Sequence, residues 1–174
     1  EPDPSVFQYG VSLAFDRQLF EDDVTGSLAW AEAIHRAGAI SDADAAAIAG
    51  GLADILAAGR RDPAWIDGPD EDIHAFVERQ LIDRIGEAGK RLHTGRSRNE
   101  QVSLDLRLYL KRRIPRVQSR LRRLVAALAH QAAACGGAVL PSYTHLRRAQ
   151  PVLAAHFLLA HAAAFRRDHD RFSR

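Results

Sequence analysis

One long helical stretch constrains the fold of this chain more than any other feature. Six apolar residues in it recur at spacings of 4, 3, 4, 3 and 4: Leu110, Ile114, Val117, Leu121, Leu124 and Leu128. This heptad seam is typical of a long helix that packs in a bundle. A helix from about Asn99 to Ala134 would span about 54 Å. Pro115 lies inside it and predicts a kink or an interruption of the hydrogen bonding.

The rest of the chain also favours helices. After a loop that contains Pro141, we expect a second apolar helix from about Gln150 onward, with Pro151 in its first turn. Shorter helices are expected at about 25–36, from the capping box at 41–44 to Gly59, and from the acidic residues 70–72 to Gly86. The sequence therefore predicts an all-α chain, with a small helical N-terminal domain at 1–97. The first long helices of a central helical bundle follow at 98–174, and other chains or a further portion must complete that bundle.

Charge is distributed unevenly along the chain. Residues 1–105 carry 10 basic and 20 acidic side chains, whereas residues 106–174 carry 14 and 2. The eight positive charges in 107–123 could follow a phosphate backbone, but Tyr109 is the only aromatic residue there. A docking face for an acidic protein surface is therefore favoured over nucleic acid.

Composition excludes several other classes of protein. No apolar run reaches the length that a membrane helix needs, so we expect no membrane association. The acidic N-terminal stretch is unlike a signal peptide. A single cysteine, Cys135, cannot form a disulfide framework, and it favours a cytoplasmic location.

Three polar clusters are candidate functional sites. The densest, HTGRSRNEQ at 93–101, combines glycine, hydroxyls and two arginines with the start of a helix, an arrangement suited to carboxylates. The alternative is an ordinary helix cap with surface arginines. The second, SYTHLRRAQP at 142–151, contains His145, which is either a proton carrier near neutral pH or simply solvated. The third, DEDIH at 70–74, either caps a helix or serves a site, and no further ligand group near it indicates a metal.

Together these clusters resemble the signature sequences of the argininosuccinate lyase family, in the fumarase/aspartase superfamily. LHTGRSRNEQV at 92–102 resembles the first signature, and DEDIH at 70–74 and YTHLRRAQP at 143–151 resemble two more. SLAFDR at 12–17, followed by DV at 23–24 and GS at 26–27, is similar to the family's N-terminal substrate-binding segment. The family usually has Asp in place of Glu100 and Gln in place of Arg147, and Asn is common in place of Val11.

The resemblance implies a carbon–nitrogen lyase of arginine biosynthesis, which splits argininosuccinate into arginine and fumarate by β-elimination without cofactor or metal. It implies that His145 is the catalytic histidine. The substrate-binding residues that it implies are Ser12, Asp72, His74, Thr94, Ser97, Arg98, Asn99 and Thr144. It also implies a homotetramer whose active sites are shared between subunits.

Part of the family pattern has no counterpart among these 174 residues. The third signature, a mobile loop of the form GSSxMPxKxNP that carries the serine thought to take the proton, does not occur, nor does a WGGRF-like N-terminal stretch. Family members are more than twice this long. We therefore expect an N-terminal portion that is inactive alone. An adenylosuccinate-lyase-like enzyme, a non-catalytic crystallin-like relative and a basic helical binding module remain alternatives.

Overall fold

The computed structural model describes residues 4–174, so the first three residues of the acidic N-terminal stretch lie outside the described part. The chain divides into two compact units, of which the first ends at Tyr109 and the second comprises residues 110–174. The helices of the first unit are α1 (Pro4–Gly10), α2 (Leu13–Asp16), α3 (Phe20–Arg36), α4 (Asp42–Arg61), α5 (Ile73–Ile85) and α6 (Glu87–Lys90). Helix α7 (Arg98–Ala134) begins in the first unit and continues into the second, which also contains strands β1 (Val139–Thr144) and β2 (Arg147–Leu153) and helix α8 (Ala154–Arg171).

The core of the first unit lies between α3, α4 and α5. Side chains from all three helices are completely buried there, among them Val24, Ile48, Leu52, Ile55, Ile73, Phe76 and Leu81. Those of α4, Ile48, Leu52 and Ile55, recur every three or four residues, which is the spacing of one helical face. The core holds the start of α5 and the start of α7 in one unit with α3.

Helix caps explain where several of these helices begin. The Asp44 backbone N–H donates to Ser41 Oγ at 3.2 Å, which confirms the cap predicted for α4. Asp72 caps α5 by accepting from the Ala75 backbone N–H at 2.6 Å. Helix α3 begins at Phe20, about five residues earlier than predicted, because acidic residues are favoured in the first turn of a helix.

The prediction that α4 ends at Gly59 is wrong. The helix continues to Arg61 and ends before the Asp62-Pro63 pair, where proline disfavours a helical residue before it. Gly59 instead permits a close contact, since a Cβ built there would lie 2.3 Å from Phe20 Cε1. Gly86, which was predicted to end α5, does so with a φ of +65°.

Helix α7 agrees with its prediction to within one residue and continues through Pro115. The helix does not end at the proline, because a single proline removes only one backbone donor while the flanking turns keep theirs. Along the heptad seam, Leu110, Val117 and Leu124 are exposed, and Ile114, Leu121 and Leu128 are half-buried.

The helix predicted from about Gln150 begins only at Ala154. Residues before it form an antiparallel hairpin, in which Pro141 on β1 pairs with Pro151 on β2. Proline is disfavoured in a helix interior, whereas strands tolerate it at irregular positions. The hairpin has such an irregular position, because the register of β1 against β2 shifts directly after Pro141. The hairpin is a small exception in a mainly helical chain.

Within residues 4–174, no helix combines the length and apolar character needed to cross a membrane.

Candidate functional site

A polar cluster in the first unit lies where α5 and α7 begin. Arg98, the first residue of α7, places Nη1 at 3.7 Å from Asp72 Oδ1 and Nη2 at 3.8 Å from Glu78 Oε2. Both distances exceed hydrogen-bond length. Among the described residues, no group forms a hydrogen bond with the buried Arg98 Nη1. The stretches 70–74 and 93–101, predicted separately, are therefore neighbours, and an arginine donor between them has no hydrogen-bond partner among the described residues.

The segment that begins at Ser12 joins the same cluster. The Ser12 backbone N–H donates to the Glu71 carbonyl at 2.7 Å, and Ser12 Oγ donates to Asp16 Oδ2 at 2.6 Å. Asp16 Oδ1 accepts from the Ile73 backbone N–H at 3.0 Å. These bonds fix the Ser12 segment to the start of α5.

Thr94, Ser97 and Asn99 occupy the loop and first turn that lead into α7. Thr94 and Asn99 are exposed and Ser97 is half-buried. The loop turns at Gly95, whose φ of +67° favours glycine. This turn is followed directly by the N-terminus of α7, whose backbone N–H groups favour anions. The loop therefore offers hydroxyl, amide and guanidinium donors together.

His74 is buried, with only 3% of its surface exposed. Its Nδ1 lies 2.8 Å from Asp23 Oδ1 and 3.3 Å from Asp105 Oδ2. A small cleft reaches this histidine and is lined also by Ser27, Arg96 and Gln101. In this structure His74 therefore contacts protein carboxylates.

The buried network around His74 could not be recognised in the sequence. Gln101 Nε2 donates to Asp23 Oδ1 at 2.5 Å, and Arg96 Nη1 donates to Ser27 Oγ at 2.9 Å. Burial, together with the nearby Asp23 carboxylate, raises the pKa of Asp105 to about 8. The sequence offers one indication of this network: Gln101 and Asp105 are four residues apart, so both lie on one face of α7.

Three atoms of this network could in principle hold a metal ion. Ligand atoms of Asp23, His74 and Asp105 all lie within 4.8 Å of one another, and all three residues are buried. Arg96 lies close enough to both carboxylates to influence them, since they oppose the lowering of its pKa by burial. A cation of the protein's own is thus already present beside the trio.

Thr144 and His145 belong to the second unit, at the tip of the hairpin. Both are exposed. The two residues between the strands, His145 and Leu146, have φ values of +50° and +61°. Two consecutive left-handed residues form the tight turn that suits the twist of a hairpin. Without glycine this conformation costs about 1–2 kcal/mol per residue, and such strain is often found at functional positions.

Known proteins resemble this chain in sequence. A family model described as lyase matches residues 1–174, so the chain belongs to this lyase family. It is 47% identical to the argininosuccinate lyase of Pelotomaculum thermopropionicum over 173 residues, which is 99% of this chain and 38% of the relative. The argininosuccinate lyase of Desulforudis audaxviator is 46% identical, with 99% of this chain and 38% of the relative covered. These similarities confirm the resemblance predicted from the signature stretches, and the chain spans less than two fifths of these relatives.

Solved structures confirm the fold. The fumarate lyase:delta crystallin of Brucella melitensis superposes with a TM-score of 0.69 at 20% identity, over 93% of this chain and 42% of that one. The β-carboxy-cis,cis-muconate cycloisomerase of Acinetobacter calcoaceticus gives 0.66 at 24% identity, over 91% and 38%. The predicted fumarase/aspartase-like architecture is therefore correct.

Proposed function

We propose that this chain is the N-terminal part of an argininosuccinate lyase, which converts argininosuccinate to arginine and fumarate in cytoplasmic arginine biosynthesis. The observation that carries the proposal is the unpartnered donor of Arg98, at the point where the stretches 12–17, 70–74 and 92–102 meet. The identity of 47% to an argininosuccinate lyase supports the substrate.

The polar cluster of the first unit fits the charge that develops in such a reaction. β-Elimination removes a proton from the carbon beside a carboxylate, so negative charge accumulates on that carboxylate in the transition state. Donors fixed in advance stabilise such charge without reorganisation. We assign this task to Arg98 and the N-terminus of α7, with contacts from Thr94, Ser97 and Asn99. Ser12, Asp72 and His74 complete this side of the site.

We assign the proton chemistry to His145, with Thr144 as a neighbouring substrate contact. The departing guanidinium nitrogen needs a proton, and an imidazole can supply or relay one near neutral pH. A tight two-residue turn between paired strands gives His145 a defined backbone position. The proposed chemistry uses no metal and no cofactor.

We propose that the complete enzyme is a homotetramer with active sites shared between subunits. The chain spans 38% of the length of the Pelotomaculum relative, and its 174 residues include no GSSxMPxKxNP loop. The residue that accepts the proton would come from outside these residues. We therefore expect no turnover by the chain alone. We also propose that the boundary between the N-terminal domain and the bundle domain lies between residues 97 and 98.

A segment exchange tests this function. This chain would replace the matching segment of the Pelotomaculum argininosuccinate lyase, and ultraviolet absorbance would follow fumarate release. We expect release from argininosuccinate and none from adenylosuccinate, with the isolated chain inactive on both. Release from adenylosuccinate alone would favour the alternative lyase. An assembled chimera that is inactive on both, beside an active parent, would contradict the proposal.

A further inference from the structure

Two buried carboxyl groups lie beneath the polar cluster, and the proposed reaction does not use them. The side chains of Asp23 on α3 and Asp105 on α7 are both 0% exposed. His74 Nδ1 and Gln101 Nε2 both donate to a single oxygen, Asp23 Oδ1. Among the described residues, the other three carboxyl oxygens have no hydrogen-bond partner. Two buried carboxylates, of whose four oxygens only one accepts a hydrogen bond, would be strongly unfavourable.

With a neutral His74, the charges that face Asp105 do not balance two carboxylates. Asp22 and Asp23 face it from α3, His74 from α5 and Arg96 from the loop before α7. Arg96 is the one arginine or lysine among them, and its Nη1 donates to Ser27 Oγ at 2.9 Å. No hydrogen bond joins Arg96 Nη2 to a described residue. A single proton placed between the two carboxyl groups would remove this excess of negative charge.

Helix α3 approaches α7 closely beside the pair. A Cβ built on Gly26 would lie 3.2 Å from Asp105 Oδ1 and 3.1 Å from Leu104 Cδ2. Gly26 thus provides the space in which the Asp105 carboxyl lies against α3. Because the contact joins two helices, whatever neutralises Asp105 also fixes α3 against the start of α7.

We propose that Asp105 is a neutral carboxylic acid whose hydroxyl donates a hydrogen bond to Asp23, and that this pair is a positioning element for the loop at 93–98. One proton on the pair leaves it with one negative charge, which Arg96 attracts. The raised pKa of Asp105 also favours the neutral form of this carboxyl group. Arg96 stands two residues before Arg98, so the position of one constrains the other. Only the description of this loop as substrate-binding depends on the proposed function.

Infrared spectroscopy of the intact chain tests the proton directly. A protonated carboxylic acid has a carbonyl band distinct from that of a carboxylate, whatever the size of the assembly. We expect this band at neutral pH, its loss as the pH rises past about 8, and its absence in Asp105→Asn. Asp83→Asn is the matched control, because Asp83 is an exposed aspartate of α5, and this variant should keep the band.

Melting temperatures show whether the fold needs a hydrogen-bond donor or a negative charge at position 105. An asparagine amide can donate to Asp23 as the acid does, so Asp105→Asn should melt close to the unchanged chain. Asp105→Leu, which cannot donate, and Asp23→Asn, which removes the charge facing Arg96, should both melt much lower. The melting temperature of the unchanged chain should fall with rising pH more steeply than that of Asp105→Asn.

Two results would overturn the inference. No acid band at neutral pH, with Asp105→Asn as destabilising as Asp23→Asn, would show that both groups are charged. No acid band, with a melting temperature that rises on addition of zinc or cobalt, would show that the trio holds a metal. No measurement here uses lyase activity, so the inference and the proposed function can fail separately.

Discussion

At the scale of single residues, the proposed anion site depends most on Arg98. Its guanidinium lies between Asp72 and Glu78 at 3.7 and 3.8 Å, close enough for attraction and too far for hydrogen bonds. The side chain is 37% exposed. The two carboxylates therefore attract the guanidinium without forming hydrogen bonds to it, and we propose that a substrate carboxylate binds its unpartnered donors.

Replacing Arg98 by lysine in the segment-exchange enzyme should lower kcat/KM for argininosuccinate by about 100-fold, because a fixed donor is lost where charge develops. Lysine keeps the charge but not the planar fork. Steady-state kinetics measure this effect. Arg91→Lys is a matched control, since Arg91 is exposed and pairs with Asp44. Equal kcat/KM values in the two variants would contradict the assignment of Arg98 to the site.

Asp105 should make stability depend on pH in an unusual direction. Its pKa is about 8 in the folded chain and about 3.9 in an unfolded one. Between these values the folded state keeps a proton that the unfolded state has released, so stability falls as the pH rises. The limiting slope from this group is about 1.4 kcal/mol per pH unit. Urea unfolding at several pH values should show a shallower fall in Asp105→Asn, and identical slopes would contradict the assignment.

At the scale of helices and strands, local patterns predicted those elements whose apolar residues are regularly spaced. Helices α4, α5 and α7 were found because their periodicity and caps lie within a few consecutive residues. The hairpin was missed because its turn, His145-Leu146, lacks the glycine or asparagine that usually indicates one. The Asp23–His74–Asp105 network was missed because it joins three helices, and a sequence does not show which polar residues meet in a core.

Two glycines of α4 should respond oppositely to alanine. A Cβ at Gly50 meets nothing within 4 Å, so Gly50→Ala should stabilise the chain by about 0.5–1 kcal/mol through backbone entropy. A Cβ at Gly59 would lie 2.3 Å from the ring of the buried Phe20, so Gly59→Ala should destabilise it by about 1–3 kcal/mol. Urea unfolding measures both, and equal effects would contradict the close contact between α3 and α4.

At the scale of the whole molecule, the second unit presents an apolar seam on a basic helix. Leu110, Val117 and Leu124 of α7 are 45%, 37% and 40% exposed. The sequence predicted the seam from its spacing and the fold from its signatures. It could not predict which protein surface covers the seam, because that depends on contacts beyond these residues.

The isolated chain should therefore self-associate, because exposed seams of this kind are buried between helices in bundles. Light scattering should give a mass above that of one chain. Val117→Glu together with Leu124→Glu should reduce association, whereas Arg120→Glu, on the same helix but outside the seam, should reduce it less. A clean monomer at working concentrations would contradict the bundle assignment.

The most direct test of the proposed function is the rate of fumarate release by the segment-exchange enzyme with and without His145. We expect release from argininosuccinate by the unchanged chimera. In the His145→Asn chimera we expect kcat to be lower by at least about 100-fold, with the same assembly, because a general acid is lost. His130→Asn, which alters an exposed histidine of α7, should retain the rate. A His145→Asn chimera as active as the unchanged one would contradict the assignment of the hairpin tip to the chemistry.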